Sequence, residues 1–258
     1  MKLTQRNYFS KKANKEFMSV SQFKSFEKCQ ASALAEINGK HKREMTTSLL
    51  VGSFIDAYFE GEKSMVKFIN GHPEVFKKDK TLKAAYIQAN EIIKRIERDA
   101  LFKSFISGKK QVIMTGEISG VPVKIKIDDL HDDKIVDLKI VKDFENIYDS
   151  EKGSVPFFEF WEYDLQGAVY QEIVRQNTGK VLPFYLAAAT KEKVTDIDIV
   201  EMKQMYMDFA LDRFKSEVPM FDAIKKGIIE PDRCEKCEFC KNSKVLTAPT
   251  SAEEFYML

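Results

Sequence analysis

The chain has 258 residues with 41 basic against 40 acidic side chains, a formal net charge of +1, so no bulk field selects a polyanion or polycation as partner. Any nucleic-acid contact must come from local placement of charge. With 44% hydrophobic residues and 20 phenylalanines the chain can bury a sizeable core, which excludes extended disorder. The first residues are polar and no stretch reaches the roughly 18 apolar residues of a membrane span, so a cytoplasmic protein with no membrane partner is expected.

Ser19 or Ser21 can cap a helix through Phe23, Phe26 and Leu34 to about Ile37, which places Cys29 on that helix. After a basic stretch from Lys40 to Arg43, Thr46 to Phe59 carries a helical stripe of Leu50, Phe54, Ile55 and Tyr58. A further helix is expected from about Lys83 to Asp99. The period then changes. Gln111 to Glu117, Val121 to Leu130 and Lys134 to Val141 read as three strands turning at Gly120 and at His131-Asp132-Asp133. Trp161 to Asn177 returns to helical spacing, Leu182 to Ala189 reads as a strand, and Ile199 to Phe214 as a last helix. The result is an α/β chain of order β-β-β-α-β, a mixed sheet flanked by helices. A helical part (about 15–105), a core (106–225), a cysteine segment (230–242) and a polar tail (243–258) read as a single domain, 1–258.

Asp137-Leu138-Lys139 sets a carboxylate and an ammonium on one face of a strand, and a tight turn can bring Asp128 beside Asp137. Two hard carboxylates side by side suit magnesium or manganese, with Lys139 to orient or deprotonate a water and stabilise a phosphate. On the order of five acid-x-Lys triplets are expected by chance in such a charged chain, so the context carries the signal. That context is Lys126-Ile127-Asp128, a turn, Ile135 to Lys139, then a helix presenting Gln166 and Tyr170 as an i, i+4 pair.

In these residues the chain resembles the PD-(D/E)XK nucleases, in particular the RecB-like branch, over about Ser19 to Cys240. Phrases such as Leu50-Val51-Gly52-Ser53 and Gln166-Gly167-Ala168-Val169-Tyr170 are similar to those of phage RecE-type exonucleases. The resemblance implies a restriction-endonuclease-like core and one nuclease domain. It also implies Asp128, Asp137 and Lys139 as the catalytic and metal centre, and Gln166 and Tyr170 as substrate contacts. Asp56 stands where the branch usually has a metal-binding histidine, Glu60 is a lesser candidate, and Glu117 is assigned to pairing a lysine rather than to the cleft. The activity implied is magnesium-dependent DNA hydrolysis in phage recombination, with a single-strand annealing protein as partner; oligomeric state is left open. A CRISPR-adaptation nuclease and a non-catalytic DNA-binding scaffold with a zinc knot are the alternatives.

There are four cysteines, Cys29 alone and Cys234, Cys237 and Cys240 as a CxxCxxC run, whose spacing suits one metal or cluster. Some RecB-like nucleases hold a 4Fe-4S cluster with one N-terminal and three C-terminal cysteines, an arrangement like that of AddB. That resemblance implies a cluster here; four thiolates equally suit structural zinc. Of the remaining features, His131 is expected in solvent, and Phe157, Phe158, Phe160 and Trp161 read as core, with stacking on an unpaired base the functional alternative. Lys124, Lys126, Lys142 and Lys191 are candidates to track phosphates.

Overall fold

The computed structural model describes residues 1–42, 44–249 and 251–253. Arg43 of the basic stretch and, in the polar tail, Thr250 and residues 254–258 lie outside the described residues. The first hundred residues are helical: α1 (Lys11–Glu16), α2 (Val20–Lys28), α3 (Gln30–Asn38), α4 (Thr47–Glu60), α5 (Glu62–Gly71), α6 (Ala84–Glu97) and α7 (Ala100–Phe105). Strands β1 (Lys109–Ile118), β2 (Val121–Leu130) and β3 (Ile135–Val141) follow, then a small hairpin of β4 (Ile147–Asp149) and β5 (Gly153–Val155). The chain continues through α8 (Phe157–Phe160), α9 (Tyr163–Thr178), β6 (Phe184–Thr190), β7 (Ile197–Glu201), α10 (Gln204–Lys225) and α11 (Glu238–Asn242).

Five strands form one mixed sheet in the order β1-β2-β3-β6-β7. β3 and β6 are parallel, with Asp137 opposite Leu186 and Lys139 opposite Ala188, and the other pairings are antiparallel. Strand alternation sorts the side chains into two cores. Ile125, Ile127, Ile135, Phe184 and Leu186 pack with α2, α9 and α10 through Phe23, Leu165, Val169, Phe214 and Phe221. Val136, Leu138, Ala187 and Ala189 pack on the other face with α4 and α6 through Phe54, Ile55, Ile92 and Ile96. This is the restriction-endonuclease-like arrangement of a mixed sheet between helical layers.

α9 approaches the sheet closely because Gly167 faces it. A Cβ there would lie 2.7 Å from Phe184 Cδ1 and 2.9 Å from Met207 Sδ. Gly167→Ala is expected to destabilise by about 1–3 kcal/mol through overpacking, read as a lower urea midpoint. An unchanged midpoint would mean that the two layers can part at no cost.

Two sequence expectations are corrected. The single helix expected to run to Ile37 is two, because Cys29 adopts extended backbone (φ −169°, ψ 108°) as the C-cap of α2 and the N-cap of α3. Ser19 caps α2 as expected, in a reciprocal box with Gln22. The residues at the start of the expected last helix are the edge strand β7; Ile197 and Ile199 alternate with Asp198, and the helix begins only at Gln204.

Candidate active site

The cleft begins where the sheet splits. β2 and β3 pair only at Asp129↔Val136 and Leu130↔Ile135 and then part, and Asp128 and Asp137 are the first residues of each strand beyond the last pair. The parting strips β2 of partners on that side. The Met18 segment replaces some of them, with Met18 N donating to Pro122 O and Lys124 N to Met18 O, both at 2.8 Å. Tyr170 supplies another, its hydroxyl donating to Lys126 O at 3.0 Å. The tyrosine expected to contact substrate thus also holds the split open from α9.

Asp56, Asp128, Asp137, Lys139, Gln166 and Tyr170 line one cavity of about 500 Å³. Asp137 is only 2% exposed; its Oδ2 is ion-paired by Lys139 and its Oδ1 accepts Gln166 Nε2 at 2.7 Å. Asp128 Oδ1 accepts Gln111 Nε2 at 3.1 Å. Asp56 reaches the cavity from α4, one turn before Glu60. Burial lifts the Asp56 carboxyl to about 7; Lys139 opposes the rise, and Asp137 and Glu60 add to it. Burial, then Asp137 and Asp56, also raise Asp128 well above the ordinary range. Burial alone would depress Lys139, but Asp137 and Asp128 outweigh it and hold the ammonium charged. Three hard carboxylates facing one lysine offer the oxygen chemistry a small divalent cation takes, although their oxygens are not gathered as closely as the cysteine sulfurs described below.

Other expected residues lie elsewhere or are already taken up by other partners. Glu117 sits at the far end of β1 opposite Pro122, outside the cavity, and in place of a lysine its backbone exchanges two hydrogen bonds with the Gln176 amide. His131 Nε2 donates to Phe105 O (2.7 Å), so the ring is not free in solvent. Lys142 pairs with Asp143 at 2.8 Å. Lys124 lines the cavity, but it is 2% exposed and its ammonium is held at 2.6 Å by both Tyr8 O and Asn14 Oδ1, which makes it a structural cation rather than a phosphate contact. Burial lowers it to about 8 from 10.5. Between those pH values the folded chain holds fewer protons than the unfolded one, so stability rises with pH across that window. Lys24 and Lys225 are lowered to about 8 in the same way and share the rise. Lys124→Met is expected to diminish the rise, measured by denaturant titration at pH 7 and 10, and to leave DNA affinity within about twofold. A large loss of affinity would make Lys124 a phosphate contact after all.

Sequence reasoning missed one wall of the cavity. Tyr8, Phe9 and Asn14 line it, Phe9 lying under the Lys126 ammonium at 5.6 Å. Lys24 also lines it and donates to the carbonyls of Trp161 and Glu162 at 2.7 and 2.6 Å. Gln111, with φ +54°, falls in the gap of the β1–β2 ladder between the Lys110–Asp129 and Val112–Ile127 pairs, and from this strained conformation it reaches Asp128.

The four cysteines converge at a second place. Their sulfurs lie within 4.8 Å of one another: Cys29 is 3.5 Å from Cys240 and 3.8 Å from Cys237, and Cys234 is 4.0 Å from Cys240. Backbone N–H groups of Lys236 and Cys237 lower the Cys234 thiol to about 6, whereas burial pushes Cys240 up to about 12. The donor set fits a soft or borderline metal.

A mixed sheet split between β2 and β3, with the Asp, Asp-x-Lys set in the split, is that of a PD-(D/E)XK nuclease. Residues 19–243 match the family described as a PDDEXK-like domain of unknown function (DUF3799), and the chain belongs to that family. The crystal structure of a Eubacterium rectale protein provisionally described as an exonuclease has 44% identity and a TM-score of 0.95, covering 99% of this chain and 98% of its own. A second solved structure, of SSO0001, covers 90% of this chain and 98% of its own at 12% identity, with a TM-score of 0.34 that carries no argument. No curated protein matches the chain. Among the described residues no helix is long and apolar enough to cross a membrane.

Proposed function

We propose that the protein is a DNA exonuclease dependent on magnesium or manganese. The observation that carries this is the meeting of Asp56, Asp128, Asp137 and Lys139 in one cavity. Asp128 and Asp137 would hold the ion with Asp56 as a third ligand. The ion when bound supplies charge to the scissile phosphate and acidifies a water. Gln166 fixes Asp137 through Oδ1, leaving Oδ2 for cations. Lys139, kept charged by its neighbours, is suited to orient the water and offset charge on the phosphate rather than to take a proton. Action from DNA ends is supported by the provisional description of the Eubacterium rectale protein. A role in phage recombination beside a single-strand annealing protein is supported by the resemblance to RecE-type enzymes alone. Incubating the protein with linear and circular duplexes, with and without magnesium, tests the reading. Loss of the linear substrate only, and only with metal, is expected; equal attack on closed circles would make it an endonuclease.

At the cysteines we propose a single structural zinc ion. A tetrahedral ion with bonds of about 2.3 Å sets its thiolates about 3.8 Å apart, close to the spacings here. In a 4Fe-4S cluster each thiolate binds a different iron, which spreads the sulfurs wider; the one-plus-three division of the cysteines is what supports that second reading.

A further inference from the structure

The metal centre lies between two hollows. Asp56, Leu138 and Lys139 line the cavity already described and also a second one, of about 750 Å³, which adjoins it. We propose that this second cavity is a stacking subsite for an unpaired nucleotide of the strand being cut, with Trp161 as its platform. The proposal rests on the nuclease reading, because a polynucleotide with its scissile phosphate at Lys139 must have a nucleotide on each side.

The aromatic run that enters α9 divides in the structure. Phe157 touches the second cavity but is 6% exposed and packs in the core, while Trp161 is 47% exposed and lines that cavity. Tyr148, 78% exposed on the β4–β5 hairpin, lines the same cavity. Two large aromatics left bare beside a phosphodiester-cutting centre are what splayed bases stack upon, since every base offers a π-face. Trp161 is also held in place. Its backbone N–H donates to Phe157 O at 3.0 Å and its backbone carbonyl accepts the Lys24 ammonium at 2.7 Å, while its ring meets Phe160 edge-on at 5.0 Å. A platform fixed beforehand loses little freedom on binding.

Charge in the cavity points the backbone inward. Lys191 bonds the Ser48 hydroxyl and has no carboxylate partner among the described residues, so it can meet a phosphate. Lys142 is neutralised by Asp143, and Glu145 is acidic, so that wall repels phosphate and turns the strand toward Lys139 and Lys191. Stacking demands an unstacked base, so the occupant is single-stranded DNA or a frayed end rather than paired duplex.

Trp161 is the sole tryptophan of the chain, so its fluorescence reports this site directly. Titrating the protein with oligothymidylate in the absence of magnesium is expected to quench and shift its emission. A fully paired duplex hairpin of equal length should change it far less. Trp161→Ala is expected to weaken oligothymidylate binding between about 5- and 150-fold, measured by anisotropy of a labelled strand. Trp161→Phe should recover most of the loss; its melting temperature, beside that of the alanine variant, separates lost stacking from lost folding. Unchanged emission on saturation, or Trp161→Phe binding as weakly as the alanine variant in a folded protein, overturns the subsite. Equal quenching by the paired hairpin also overturns it. Magnesium-dependent cleavage that persists alongside any of these results leaves the nuclease reading standing. If the wild-type protein cleaves nothing, the nuclease reading falls and the emission titration still decides the subsite.

Discussion

Lys139→Ala is expected to lower turnover of linear DNA by about 10³-fold or more while DNA affinity stays within a few-fold. Lys139 is the cation that Asp137 and Asp128 share, and it lines both hollows along the proposed path of the strand. Removing it takes away the donor to water and phosphate but leaves the three carboxylates to hold metal. A second consequence follows from the same electrostatics. Without the ammonium, and without a divalent ion, the carboxylates lose their main offsetting charge and must stay buried either charged beside one another or protonated. The metal-free variant should therefore melt below the metal-free wild type, and added magnesium should close most of the gap. Single-turnover cleavage and paired melting curves check both parts. Cleavage at the wild-type rate by a clean preparation would remove Lys139 from the centre.

Cys29→Ser is expected to lower the melting temperature by roughly 10–20 °C and to remove bound metal in the same step. The bond it breaks would close a loop of some 208 residues, and a cross-link over such a span contributes about 5 kcal/mol in the chain-entropy picture. In a domain of this size each kcal/mol moves the melting temperature by about 2–4 °C. Because metal binding here would be coupled to folding, metal content and stability should fall together. Anaerobic preparation followed by zinc, iron and sulfide analysis identifies the species: one zinc per chain supports the proposed site, and matched iron and sulfide replaces it by a cluster. Wild-type protein with no metal, or a variant with unchanged melting, would leave four thiols that merely pack.

Much of the centre could be read from periodicity. The alternation in β2 and β3 and the short turn between them put Asp128 opposite Asp137 before any coordinates, and α9 carried Gln166 to the same place. What could not be read was set by distant contacts. The parting of β2 and β3 depends on Met18 and on the Tyr170 hydroxyl, neither of which marks the strands themselves. The wall built from Tyr8, Phe9 and Asn14 has no period to betray it. The break at Cys29 is stabilised from the far end of the chain: Ala31 N donates to Asp232 O, and Asp232 N to Gln30 Oε1. In β7 five residues were too few to separate alternation from the first turn of a helix.

The position of Cys29 also has a consequence in time. It emerges from the ribosome early, and its sulfur neighbours follow only after about two hundred more residues. At 5–20 residues per second that is roughly 10–40 s during which Cys29 has no partner to share a metal with. The sheet and both its helical layers can form in that interval, since every strand precedes Cys234. Closure of the thiolate site is then a late step, and a chain that stops short of Cys234 keeps its strands and the residues of its cleft but lacks the three thiols that the proposed zinc knot would join to Cys29.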